Sequence, residues 1–228
     1  MKTKSNPKNI SQVEQEFITH DGSEHKQFSC CSCLHNRKKI IMIPDRVDLE
    51  DIKNNEKILV LDLDETLVHC SFYPLAHYDN CVSIQIEGVP YNVYVQKRPG
   101  VTEFLDEVRK KFFVVIFTAS LSHYANPIID LLCPDLPEPQ RLFRESCTFC
   151  DGLYVKDLGI FKKSLNDIII VDNNPCSFMF HQNNAVLSKT WEGDINDNEL
   201  LDCILPLLEE CINAEDVRKI LSQKKKSL

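Results

Sequence analysis

Two aspartates one residue apart, Asp62 and Asp64, follow an unbroken apolar run, Ile58 to Leu61, and precede Glu65 and Thr66. One carboxylate can attack an electrophile while its neighbour moves a proton. Together they can also hold Mg²⁺, a hard cation that takes oxygen ligands. Asp and Thr are equally favoured as helix N-caps, so Asp-x-Asp-x-Thr alone does not decide between a cap and a site. More groups of chemical use follow. Thr118 comes after the run Phe112–Phe117, Lys156 lies further on, and Asp172-Asn173 follow Ile168–Val171. Singly, Thr118 reads as a cap, Lys156 as a solvated lysine and Asp172 as a turn residue. Their recurrence at the ends of successive apolar runs is hard to credit to capping.

Short continuous apolar runs are the pattern of strands buried on both faces of a parallel sheet. In such sheets ligands bind outside the carboxyl ends of the strands. The sequence therefore predicts an α/β fold with strands at 58–61, 112–117 and 168–171, and a fourth at Ala185–Leu187. Period-two patterns at Val82–Ile86 and Tyr91–Val95 flank Glu87-Gly88, a hairpin signal. The hairpin is an antiparallel insertion beside the site. His69–Pro74 read as a loop leaving it. Apolar spacing predicts helices over 101–111, His123–Leu132, Glu199–Cys211 and Ala214–Gln223. Arg141–Arg144 and Cys147–Cys150 are strand-like.

This set suits phosphoryl transfer, in which a phosphate must be neutralised and held in line with a nucleophile. Asp62 is the candidate nucleophile, giving an aspartyl-phosphate. Asp64 protonates the leaving oxygen and then deprotonates the attacking water. Thr118 and Lys156 hold the phosphoryl oxygens. Asp172 and Asn173 complete a Mg²⁺ site and orient Lys156.

With 228 residues the chain holds one large domain, or one domain plus a tail, and 43% hydrophobic residues fit an ordinary globular protein. A net charge of −8 argues against nucleic acid as the main ligand, which needs a basic surface. Residues 1–55 are polar and weakly periodic and read as a flexible extension; 56–223 form the domain and 224–228 a basic tail. The start lacks an apolar signal segment, and no run approaches a membrane span, so the chain is expected inside the cell with its eleven cysteines reduced. Cys30, Cys31 and Cys33 are candidates for lipidation and a membrane tether, against plain thiols and, ranked lower, a zinc site with His35. Ile40–Pro44 is a candidate apolar strand or anchor.

The combined motifs resemble the small phosphatases of the RNA polymerase II C-terminal domain, the FCP-homology branch of the haloacid-dehalogenase superfamily. The resemblance rests on Leu61–His69, Tyr94–Val101, Phe117–Ser120, Arg141–Glu145, Tyr154–Leu158 and Asp172–Pro175. It implies a haloacid-dehalogenase-like Rossmannoid core, with a parallel central sheet, helices on both faces and a small antiparallel insertion. It implies a Mg²⁺-dependent phosphatase for phosphoserine and phosphothreonine, acting on the polymerase C-terminal repeat in the nucleus; nothing in the sequence requires more than a monomer. The nucleophile maps to Asp62, the acid/base to Asp64 and the phosphoryl-binding pair to Thr118, with Ala119 beside it, and Lys156. The metal ligands map to Asp62, the Asp64 carbonyl and Asn173. Arg144 matches an arginine facing the substrate phosphate. A proline-receiving pocket maps to Phe72, Ile84, Ile86, Val93 and Leu121, with Tyr124 beside it; Ile84, Ile86 and Val93 also read as plain core. Asn126 stands where the family commonly has aspartate, outside the phosphoryl-binding set. Alternatives to the polymerase repeat are other phosphoproteins, small phosphates, or a phosphopeptide-binding module without turnover.

Overall fold

The computed structural model describes Pro44 and residues 56–225. Cys30, Cys31, Cys33 and the rest of the extension, including all but the last residue of the Ile40–Pro44 segment, lie outside the described residues, as do residues 226–228.

The apolar run Ile58–Leu61 is β1, fully buried, and it is the middle strand of five. It pairs in parallel with β5 (Phe113–Phe117) on one side and β9 (Ile168–Asp172) on the other. Beyond β9 lies β10 (Ala185–Leu187), and beyond β5 lies the two-residue β6 (Arg141–Leu142), both parallel. All carboxyl ends therefore point the same way, which places Asp62, Thr118 and Asp172 at one edge. The fold is α/β with a parallel central sheet, as the sequence predicts.

Successive side chains of a strand point to opposite faces. Leu59 and Leu61 enter one buried cluster, Ile58 and Val60 the other. The first cluster takes the apolar faces of α1 (Val101–Arg109), α2 (Ser122–Leu132), α3 (Leu205–Cys211) and α4 (Val217–Lys225). The second is covered by single 3-10 turns at Leu158–Ile160 and Leu165–Asp167. The helices expected on both faces are thus α-helices on one face and 3-10 turns on the other. Strand order explains this: β6 lies on one side of β1 and β9 on the other, so their link runs back across the sheet, on the face opposite α2.

The insertion has three strands rather than two. Beside the expected hairpin, β3 (Asn80–Ile86) and β4 (Val89–Lys97), runs β2 (Val68–Ser71), which pairs with β4. The segment read as a loop thus begins as a strand. It is short and half polar, and its order comes from hydrogen bonds to β4. A second, two-stranded hairpin joins β7 (Thr148–Cys150) to β8 (Leu153–Val155) across Asp151-Gly152.

Two helix boundaries also differ. The pattern over Glu199–Cys211 is a π turn at Leu200–Ile204 followed by α3. Pro206 has no N–H to donate to the turn before it, so the helix widens there. The last helix starts at Val217 because the Asp216 carboxylate accepts the Arg218 N–H at 3.0 Å, capping that point. α1 begins after Gly100, whose φ is +74° and whose Cα hydrogens lie against Leu201; a Cβ there would come within 2.6 Å of Leu201 Cδ1.

Candidate active site

The main chain carries β1 one residue further, since Asp62 N–H donates to Val171 O at 3.0 Å. It then folds back on itself. Leu67 and Val68 N–H both donate to Leu63 O, at 2.9 and 3.2 Å, and Glu65 takes a left-handed φ of +57°. That turn stacks Asp62, Asp64 and Thr66 over the strand end. A left-handed non-glycine residue costs energy; Glu87 and Asp151 adopt it in hairpin turns, and Glu65 adopts it in the turn between Asp64 and Thr66.

Lys156 is 1% exposed and lies between two carboxylates. Its Nζ donates to Asp62 Oδ1 at 2.5 Å and to Asp172 Oδ2 at 2.6 Å. Burial alone would lower its pKa, but the Asp172 and Asp62 charges outweigh it and hold the ammonium well above its ordinary range. Asp172 is pushed up to about 7 by burial and then by Asp62, against the pull of Lys156. The Asn174 N–H donates to Asp172 Oδ1 at 2.8 Å and fixes the carboxylate plane. Lys156 N–H donates to Ser177 O, which anchors the lysine at its backbone.

Asp64 has a different setting. Its Oδ2 accepts the Ser120 hydroxyl at 2.8 Å and the Thr118 hydroxyl at 3.2 Å, and its Oδ1 accepts Tyr124 OH at 2.9 Å. Burial, and then the Asp62 charge, raise the Asp64 pKa; the three hydroxyls oppose that. A carboxyl raised this way retains a proton more readily than a free aspartate does, which is what a general acid needs. Thr118, read from the sequence as a phosphoryl ligand, here donates to Asp64 and accepts the Ser120 N–H at 3.0 Å.

Asp62, Thr66 and Asn173 meet on the other side. Thr66 Oγ1 donates to Asp62 Oδ2 at 2.9 Å and lies 3.4 Å from Asn173 Oδ1. The Asn173 amide nitrogen donates to Thr190 Oγ1 at 3.2 Å, so the amide oxygen faces Asp62. Among the described residues no cluster of three or more His, Cys, Asp or Glu side chains is placed to hold a metal. A carboxylate oxygen and an amide oxygen converging on one hydroxyl, next to the Asp64 backbone, form an all-oxygen donor set, and that set fits Mg²⁺.

The remaining sequence candidates separate into rim and core. Arg144 Nε donates to Ala119 O at 2.6 Å, and its guanidinium lies 5.0 Å from the Tyr154 ring centre, beside the Thr118–Ser120 segment. Phe72 and Leu121 are half-buried, with the Phe72 ring 6.4 Å from that of Tyr124 and 6.3 Å from that of Tyr91. Ile84, Ile86, Val93 and Tyr124 are core residues. Asn126 packs on the side of α2, where its oxygen accepts an Arg141 N–H at 3.3 Å. Cys147 and Cys150 are buried free thiols. Sequence reasoning did not assign Thr66 as the hydroxyl on Asp62 or Ser120 as a donor to Asp64. Both stand inside quoted motifs, but the sequence carries no sign of which carboxylate each would meet.

No helix among the described residues is long and apolar enough to cross a membrane. Residues 57–218 match the family described as NLI interacting factor-like phosphatase. A Dictyostelium discoideum protein named "Probable C-terminal domain small phosphatase" is 49% identical over 182 residues, covering 80% of this chain and 57% of its own. The Homo sapiens "Carboxy-terminal domain RNA polymerase II polypeptide A small phosphatase 2" is 49% identical over 165 residues, 72% of this chain and 60% of its own. The chain thus spans less than two thirds of the length of these relatives. The solved structure of fission yeast Fcp1 bound to beryllium fluoride aligns with a TM-score of 0.53 at 18% identity, covering 76% of this chain and 55% of that one. At that identity the likeness is one of fold.

Proposed function

The chain belongs to the NLI interacting factor-like phosphatase family, and on that footing we propose that it hydrolyses phosphoserine and phosphothreonine in proteins, with Ser-Pro sites of the RNA polymerase II C-terminal repeat as substrate. The observation that carries the chemistry is the buried Asp62–Lys156–Asp172 array at the carboxyl ends of β1 and β9, with the raised Asp64 alongside. The polymerase repeat is taken from the names of the relatives.

An Asp62 carboxylate oxygen attacks phosphorus as the bond from phosphorus to the seryl oxygen breaks. Asp64 gives its proton to that oxygen, releasing the alcohol and leaving an acyl phosphate on Asp62. Asp64, now ionised, takes a proton from water, which attacks phosphorus and frees Asp62. The Lys156 ammonium holds a fixed positive charge against the transferring group. Ala119 and Thr118 line the approach, and Arg144 at the rim meets the incoming phosphate. Asp62, the Asp64 carbonyl and Asn173 would hold Mg²⁺, which supplies neutralisation of the facing negative charges.

Phosphate release from a peptide panel tests the reading. The panel holds polymerase heptads phosphorylated at each serine, a phosphoserine peptide without proline, and an aryl phosphate. We expect release that stops in EDTA, returns with added Mg²⁺ and favours one Ser-Pro site. Release from the aryl phosphate alone would remove the polymerase repeat as substrate. Binding of phosphopeptide with no release would make the domain a recognition module.

Selectivity has its own expected result. Phe72 and Leu121 are the pocket candidates with surface to offer, while Ile84, Ile86 and Val93 support them from the core. Phe72→Ala should lower kcat/KM for the preferred Ser-Pro peptide about 10-fold or more, the cost of losing one apolar contact, and leave the aryl phosphate within about twofold. Equal losses on both substrates would mean that Phe72 supports the catalytic loop and not the substrate.

A further inference from the structure

Arg98 is the largest fully buried side chain among the described residues, and all five of its N–H donors are used. Nε and Nη2 donate to the two oxygens of Asp197, at 2.8 and 3.0 Å. Nη2 also donates to Glu199 Oε2 at 2.7 Å. Nη1 donates to Ser188 Oγ at 2.8 Å and to the Thr66 carbonyl at 3.0 Å. The last bond is the informative one, because Thr66 is the residue whose hydroxyl meets both Asp62 and Asn173.

The other bonds all reach one segment, residues 188–199. Glu199 Oε2 accepts the Lys189 N–H at 2.9 Å, one residue before Thr190. Thr190 accepts the Asn173 amide and thereby aims its oxygen. Ser188 N–H donates to Asp172 O, and Trp191 N–H to Glu65 O. One guanidinium therefore ties the turn that carries Asp62 and Thr66 to the segment that orients Asn173.

We propose that Arg98 is a positioning residue that sets the separation of the Asp62 and Asn173 oxygens, and through it the affinity of the site for Mg²⁺. The inference rests on the Mg²⁺-dependent reading above. A lysine would keep the charge, but as a single point it cannot span Thr66 O, Ser188 and two carboxylates. The device differs from a simple buried ion pair, whose removal alters stability alone. Here the partner at one end is the main chain of the catalytic turn.

The test is calorimetric titration of Mg²⁺ alone into the full chain, with thermal unfolding measured in parallel. The unmutated chain should bind Mg²⁺. Arg98→Lys should weaken binding by about 10-fold or more, the usual effect of changing a group that orients a metal ligand. Asp197→Asn, which keeps both the Thr66 bond and the Glu199 link from Arg98 to the Lys189 N–H beside Thr190, should lower Tm and leave Mg²⁺ binding within about twofold. Where Arg98→Lys fails to fold, Glu199→Ala cuts the clamp at its far end and should weaken binding about threefold or more. Folded variants that lose Tm in parallel while binding Mg²⁺ as the unmutated chain does would overturn the proposal. No Mg²⁺ binding by the unmutated chain would overturn the metal reading itself, and the inference with it.

Discussion

Asp62→Asn should abolish phosphate release, by at least about 10⁴-fold, while the protein stays folded. The amide cannot form an acyl phosphate, so the loss falls on chemistry. The fold survives because the local bonds can be rearranged. The introduced amide oxygen can still accept from Lys156. Its NH₂ can donate to Thr66 Oγ1, which in turn can donate to Asn173 Oδ1, already 3.4 Å away. Removing the charge also relieves Asp64 and Asp172, both of which Asp62 pushes up. Single-turnover assays with a phosphopeptide, read beside far-UV circular dichroism, check both halves. Near-normal turnover in a folded variant would transfer the nucleophile role to another group.

Lys156→Met should fail twice over. Loss of a fixed positive donor at a transferring phosphate costs about 10²- to 10³-fold in kcat. Loss of the ammonium also leaves Asp62 and Asp172 facing each other in a closed site, and breaking a buried pair at one partner typically costs about 3–5 kcal/mol. The sign of the pH effect follows from the carboxyls. Burial and Asp62 place Asp172 at about 7 with the lysine present, and its removal takes away the group that pulls this pKa down. A carboxyl held above its unfolded value binds its proton more tightly when folded, so it costs stability above that range and less as pH falls. The variant should therefore be most destabilised well above pH 7, where Asp172 must ionise without its lysine, and recover toward the unmutated chain as the pH falls to about 7, below which Asp172 holds its proton in both. Urea unfolding across that range measures it. A constant difference at every pH would mean that Asp172 stays paired in another way.

The edge that carries Asp62, Thr118 and Asp172 was legible in the sequence for a physical reason. β1, β5 and β9 are buried on both faces, so each reads as an unbroken apolar run, and whatever polar group ends the run must lie at the edge. Asp62, Thr118 and Asp172-Asn173 were readable in that way, and Lys156, which ends no such run, was read with them as a group to hold the phosphoryl oxygens. β2 was not legible: His69, Cys70 and Ser71 have no strand signature, and their conformation is set by a partner more than twenty residues away. The widened turn before α3 was signalled by Pro206, which the apolar spacing overrode in the reading. Arg98 stands in plain view within the motif Tyr94–Val101. Its role depends on Thr66, Ser188, Asp197 and Glu199 converging from two distant segments, and no local pattern encodes that.

The central position of β1 has a consequence for how the molecule is made. Both neighbours of β1 are synthesised after it, and the lysine that joins Asp62 to Asp172 lies 94 residues beyond Asp62. Contacts of that span close slowly, because chain entropy must be lost before they form. During translation Asp62 and Asp64 leave the ribosome early, yet their surroundings are incomplete until β9 has docked. A nascent chain ending before Ile168 would carry Asp62, Asp64 and Lys156 but leave one flank of the central strand open to aggregation. The Asp62–Lys156–Asp172 array is thus completed late in the folding of the chain, set by its last long-range strand pairings and not by the order in which its residues appear.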